Sequence, residues 1–272
     1  MQLITEGLKY KHEKRILNSE EIDIHIISYE QSINKNLTLL VSKVSEAIAP
    51  NVDMNHVGEG ASMNEIIKAQ KGIRFIINGG FSHYRKDFYE WKHQSFNVGD
   101  PVGIVKIRNH LFEDFINIEN YGFLVQKEKG QNWNIENSQN INKNEKYILG
   151  CTPLLIFDKN KVILPTETMN PMPEGKINPP SILGHGLQNH PRTAVGKINN
   201  ELIFITVSNC TLLDLQQIGF EMNLDSMLNL DGGGSSQFRI IKDNDFIKNK
   251  VSKDDESRIL GHTLIIFDET LK

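Results

Sequence analysis

The run Asn229-Leu230-Asp231-Gly232-Gly233-Gly234-Ser235-Ser236-Gln237-Phe238 constrains this chain more than any other stretch. An apolar segment of Met227, Leu228 and Leu230 runs into a carboxylate, and three glycines and two hydroxyls follow at once. Packing makes no use of that order, because consecutive glycines lose the most backbone entropy and bury no side chain. They serve where backbone approaches a ligand closely or takes positive φ. Successive N–H groups in such a turn form a concave anion site. The bland reading is a tight turn between strands, with Asp231 capping its own loop. Two nucleotide motifs are excluded. No Lys follows the glycines, so the G-x-x-x-x-G-K-[ST] phosphate loop fails. No helix-forming run follows Ser236, so the dinucleotide pattern G-x-G-x-x-G fails too. Gln237-Phe238-Arg239-Ile240-Ile241 reads instead as a strand.

Other strand-like runs are frequent. They are Ile22–Tyr29, Leu37–Val41, Arg74–Asn78, Val102–Ile107 and Ile259–Phe267. Pro153–Phe157 and Lys161–Leu164 flank Asp158-Lys159-Asn160, a hairpin signal. Arg192–Ile198 and Glu201–Val207 flank Asn199-Asn200, a two-residue turn that tolerates positive φ. Helical signals are fewer. Ala61–Lys71 is stopped by Gly72, and Thr211–Met222 opens on a Thr211/Asp214 capping pair. This balance gives an α+β fold: a large mixed, mostly antiparallel sheet with a few flanking helices, in a single domain over residues 1–272. A polar Asn/Lys-rich insertion is expected at about 127–146. A Pro/Gly-rich loop at 165–191 holds six of the nine prolines, and its position just before His190 suggests a lid or substrate wall.

Composition narrows the function. At 39% hydrophobic and 24% charged the chain is an ordinary globular protein. A net charge of −4 argues against a broad basic face for a nucleic acid duplex, while leaving room for a local basic pocket. Cys151 and Cys210 show no metal spacing and read as two buried apolar thiols. Cys210 as a nucleophile at a helix start is the weaker reading. No run reaches membrane-spanning length. No secretory signal is visible behind Lys9, Lys11, Lys14 and Arg15, so a cytoplasmic protein without a membrane partner is expected. The sequence does not set the oligomeric state.

Three segments share one design, each strand-adjacent with polar residues beside glycine or proline: Asn78-Gly79-Gly80-Phe81, His190-Pro191-Arg192-Thr193-Ala194-Val195-Gly196, and the run from Asn229 to Ser236. Together, and in this order, they resemble the phosphodiester glycosidase family. Gly99-Asp100-Pro101-Val102-Gly103 and Arg258 fit the same pattern. One departure stands out: where many members carry Asp-Gly-Arg, this chain has Ser208-Asn209-Cys210. The position of a second family Phe is Ser82. The resemblance implies hydrolysis of a small-molecule sugar-1-phosphodiester on its anomeric side, releasing free sugar and a phosphomonoester.

Residue chemistry agrees independently. Arg192 can grip two phosphate oxygens in a planar fork. The N–H groups of Gly232, Gly233 and Gly234 and the hydroxyls of Ser235 and Ser236 can bind the same anion. A phosphate leaving group is already acidic, so one carboxylate can suffice where glycosidases usually need two. Asp231 is therefore expected as base or nucleophile, Arg192 as the phosphate clamp and His190 as a proton donor or ligand contact. Asn78, with Gly79 and Gly80, is expected on a sugar hydroxyl or phosphate oxygen, and Thr193 as a support for Arg192. Against these stand a turn-capping Asp, a structural Arg and a turn-forming Asn. The remaining histidines show no metal spacing. No cofactor is expected, although oxygen ligands near Asp231 would suit a divalent cation. The rival function is a non-catalytic binder of a sugar phosphate or nucleotide-like ligand in the same pocket.

Overall fold

The computed structural model describes residues 1–31, 35–41, 61–82, 103–107, 109–113, 121–126, 132–137, 145–164, 186–242, 245–248 and 260–268. Three antiparallel sheets make up most of it. The largest has eight strands, in the spatial order β1 (Gln2–Thr5), β2 (Leu8–Leu17), β3 (Glu20–Glu30), β14 (Glu201–Cys210), β13 (His190–Ile198), β15 (Ser226–Asn229), β11 (Leu154–Phe157) and β12 (Asn160–Lys161). A five-stranded sheet runs β7 (His110–Glu113), β6 (Ile104–Ile107), β10 (Tyr147–Cys151), β8 (Gly122–Gln126) and β9 (Trp133–Asn137). The other five-stranded sheet runs β17 (Asp245–Lys248), β16 (Phe238–Lys242), β5 (Ile73–Asn78), β18 (His262–Asp268) and β4 (Lys35–Val41).

The alternation of each strand decides which way it faces. Ile27, Val195, Phe204 and Leu228 from the eight-stranded sheet meet Leu124, Trp133 and Leu149 from one smaller sheet and Phe75, Phe238 and Leu264 from the other. This is the main core, and it lies between the large sheet and the two smaller ones. The opposite face of the large sheet packs Ile24, Ala194 and Ile205 against helix α2 (Leu212–Glu221) through Leu212, Leu215 and Ile218. Helix α1 (Met63–Ala69) covers the other five-stranded sheet with Met63 and Ile66.

Both helices begin where side chains can satisfy their first free N–H groups. Thr211 Oγ1 accepts from Asp214 N at 3.1 Å, and the Asp214 carboxylate accepts from Thr211 N at 3.0 Å, which is the expected capping pair. Ser62 and Glu65 form the same box at α1. The two expected hairpin turns also form, with positive φ at Asp158, Lys159 and Asn199.

The sequence expectation of α+β is corrected toward a sheet-dominated fold. Only α1 and α2 are α-helices among the described residues, and every strand pairing among them is antiparallel. The missed strands explain the shift. β2 reads LKYKHEKRIL and is mostly polar, because it crosses from the covered part of the sheet toward solvent. β9 lies inside the stretch read as a polar insertion; there Trp133 and Ile135 are buried while Asn134 and Glu136 alternate outward. Of the Pro/Gly-rich loop, 165–185 lie outside the described residues, and so do Gly99–Val102 and Arg258.

Candidate functional site

Three strand ends from two sheets converge on Asp231. β15 delivers it, β13 lies beside it in the large sheet, and β5 brings Asn78-Gly79-Gly80 across from a smaller sheet. Asp231 N donates to Gly79 O at 3.0 Å, and Leu230 N donates to Thr193 O at 2.9 Å. The Asn78 side chain joins the three. Its Nδ2 donates to Asp231 O at 2.8 Å and to Gly79 O at 3.3 Å. Its Oδ1 accepts from Thr193 Oγ1 at 3.1 Å and from Gln237 N at 3.2 Å. Both amide protons and both lone pairs are therefore used within the protein. Asn78, expected to touch ligand, instead fixes the backbone that carries Asp231.

The glycines divide into two kinds. Gly79 and Gly80 are buried packing positions. Gly79 N donates to His262 O at 3.0 Å, and a Cβ on Gly79 would lie 2.6 Å from His262 Cδ2. A Cβ on Gly80 would lie 3.2 Å from Gly150 O and 3.3 Å from Cys151 Sγ. The triplet after Asp231 is half-exposed and forms a single 3-10 turn. Gly233 takes φ 58° and faces open space. Gly232 N donates to Asp231 Oδ1 at 2.9 Å, while Ser235 N and Ser236 N close the turn on Gly232 O and Gly233 O. Among the described residues, the N–H groups of Gly233 and Gly234 have no protein acceptor.

Arg192 reaches this turn. A Cβ placed on Gly232 would lie 3.8 Å from Arg192 Cδ and 3.9 Å from Nη1. The guanidinium is nearly buried, and burial lowers its pKa. A guanidinium titrates so high that it stays charged near neutral pH. Its Nε donates to Cys210 O at 3.2 Å and one Nη to Gln188 O at 2.9 Å. These carbonyls orient the fork. Guanidinium, free amides and a carboxylate thus share one small volume, an arrangement suited to an anion with a reacting centre beside it.

The model of the phosphodiester glycosidase family matches residues 71–267. The chain belongs to the phosphodiester glycosidase family. Among solved structures, it is similar to the zebrafish N-acetylglucosamine-1-phosphodiester alpha-N-acetylglucosaminidase catalytic domain, auto-inhibited by its pro-peptide. The TM-score is 0.61 at 15% identity, over 97% of this chain and 84% of that one. It is also similar to a hypothetical protein from Synechocystis, with TM-score 0.59 and 13% identity over 97% of this chain and 62% of that one. Identities this low show the shared fold. A search among curated proteins found no match. Family membership supports a glycosidase-type hydrolase.

The remaining expected residues of this family member fall around the same point. Thr193 is fully buried and serves Asn78. His190 opens β13, with Nε2 3.1 Å from Gln188 Oε1. Ser235 and Ser236 are fully buried, and Ser236 Oγ has no hydrogen-bond partner among the described residues. The segment Ser208-Asn209-Cys210 is committed to structure. Ser208 Oγ accepts from Asp23 N, Asn209 donates to Glu20, and Cys210 O holds Arg192. Both cysteines are buried free thiols. Burial pushes the Cys210 pKa up to about 12, only partly offset by Arg192, so the thiolate reading for Cys210 fails. Among the described residues, no group of three or more His, Cys, Asp or Glu is placed to hold a metal.

Sequence reasoning missed His262 and Gln237. His262 is fully buried against Gly79 and Gly80, and burial holds its pKa down at about 4. Gln237, just before β16, accepts from Asn78 N through its carbonyl and donates its own N–H to Asn78 Oδ1. The one available signal was register, since β16, which starts just after Gln237, and β18, which opens on His262, flank the strand that ends in Asn78.

Proposed function

We propose that the protein hydrolyses a sugar-1-phosphodiester on the anomeric side of the phosphate, releasing free sugar and a phosphomonoester. One observation carries this reading: the Arg192 guanidinium lies against Gly232, in the turn that Asp231 opens. Arg192 and the amides of Gly233 and Gly234 hold the phosphate. Asp231 acts at the anomeric carbon, directly or through water. A phosphate departs without the strong proton donation an alcohol requires, which suits a site with one placed carboxylate. His190, half-buried at the start of β13, contacts the ligand.

The test is incubation with a sugar-1-phosphodiester and detection of free reducing sugar and phosphomonoester. Asp231→Asn and Arg192→Ala should each lower kcat/KM by about a thousandfold or more, the scale of losing a reacting group or a transition-state clamp. Their unfolding curves should stay cooperative. Retained turnover in either variant removes that residue from the mechanism. Tight binding without any release of sugar would favour the non-catalytic binder.

A further inference from the structure

Asn229 stands two residues before Asp231, and the proposed chemistry does not use it. Its pairing shows which way it faces. Ala194 pairs with Asn229. The ladder continues one residue past β15, where Leu230 N donates to Thr193 O at 2.9 Å. The next step of that register sets Asp231 opposite Arg192. Paired residues share a face, and so do alternate residues of one strand. Arg192, Ala194, Asn229 and Asp231 therefore stand on one face, the one that Ala194 and Met227 turn toward α2.

Asn229 is 3% exposed. Its Nδ2 donates to Thr152 O at 2.9 Å, which fixes the amide end for end. Its Oδ1 has no hydrogen-bond partner among the described residues, and neither has Thr152 Oγ1, which is equally buried. Buried polar atoms are nearly always satisfied, so this oxygen calls for a donor from outside the protein. The groups around Asp231 on the phosphate side are of the opposite kind, because Arg192 and the amides of Gly233 and Gly234 can only donate. A phosphodiester anion offers them acceptors and has no proton for Asn229. A sugar hydroxyl has one. The carboxylate thus has donors after it in the turn and an acceptor before it on the strand. Two residues of strand span roughly 7 Å, so the side chains of Asn229 and Asp231 can reach one sugar ring. Of the ring atoms bonded to the anomeric carbon, one is an oxygen without a proton and the other carries a hydroxyl.

We infer that Asn229 Oδ1 is the sugar-side contact of the site. It accepts from the hydroxyl next to the anomeric carbon, and the substrates are hexose phosphodiesters that bear this hydroxyl. The inference rests on the hydrolase reading for what Asp231 faces, but binding tests it without turnover. Glucose 1-phosphate and mannose 1-phosphate of the same anomer differ only in the orientation of that hydroxyl, and one 2-deoxy analogue is the reference for both. By calorimetry the wild type should bind one epimer about tenfold more tightly than the analogue, the scale of leaving a buried acceptor unmade. Asn229→Leu, similar in shape but without an acceptor, should bring that ratio close to one. Asn229→Asp keeps an acceptor and should keep the ratio while its charge weakens all three ligands together. A purely structural role would weaken the three equally in Asn229→Leu and leave the ratio as it was. That result overturns the inference. So does a wild type that binds the analogue as tightly as both epimers, as it would if water alone satisfied Oδ1, or that binds none of the three. The wild-type comparison decides the matter without Asn229→Leu if that variant does not fold. Discrimination with no hydrolysis of the matching phosphodiesters removes the hydrolase reading and leaves the subsite in place.

Discussion

Asn78 contributes a buried amide with all of its hydrogen-bonding capacity spent on Asp231, Gly79, Thr193 and Gln237. Removing it strands a carbonyl, a hydroxyl and an N–H in the interior, and each such group costs about 1–3 kcal/mol when left unmade. Asn78→Ala should therefore destabilise the fold by on the order of 3 kcal/mol, read as a lower urea midpoint. It should also depress kcat more than it raises KM, because the carboxylate it positions is lost rather than a ligand contact. An unchanged midpoint would show that the bridge is dispensable. The sequence displayed Asn-Gly-Gly but not its task. A motif reports which residue types stand together and not whether their donors face a ligand or a neighbouring strand. The triplet after Asp231 was easier to read, because Gly233 at φ 58° meets a need that few other residues meet.

At the scale of elements, legibility followed pattern strength. β13 and β14 announce themselves through long apolar stretches around Asn199-Asn200, and they form as read. α2 was visible through Leu212, Leu215 and Ile218 together with its Thr211 cap. β2 and β9 were hidden because short runs of Lys, Glu and Asn outweigh a few alternating apolar residues. The α2 cap has a testable weight. Thr211→Ala removes the acceptor for Asp214 N and should cost about 1 kcal/mol by chemical denaturation. Cys210, whose carbonyl orients Arg192, immediately precedes that cap, so KM for a phosphodiester should rise modestly as well. Asp214→Asn, which keeps an acceptor for Thr211 N, should show less of both effects.

For the whole molecule, burial of imidazoles sets the response to acid. His262 and His25 both have folded-state values of about 4, below the ordinary 6.5, with burial as the main cause. The unfolded chain therefore takes up their protons first as pH falls. Their contribution to stability is complete above pH 6.5 and is lost progressively between 6.5 and 4. For fully buried His262 that loss is on the order of 3 kcal/mol. Urea midpoints measured from pH 7 down to pH 4 should fall steadily, and His262→Asn should flatten that slope. A midpoint indifferent to pH across this window would mean that neither ring is sealed from water.

Asp231 is anchored to β5 by a main-chain bond to Gly79 and by the Asn78 amide on its own carbonyl. Peptide groups are the same whatever residue bears them. A lineage can therefore replace the side chains around Asp231 without breaking the main-chain bond that ties it to β5.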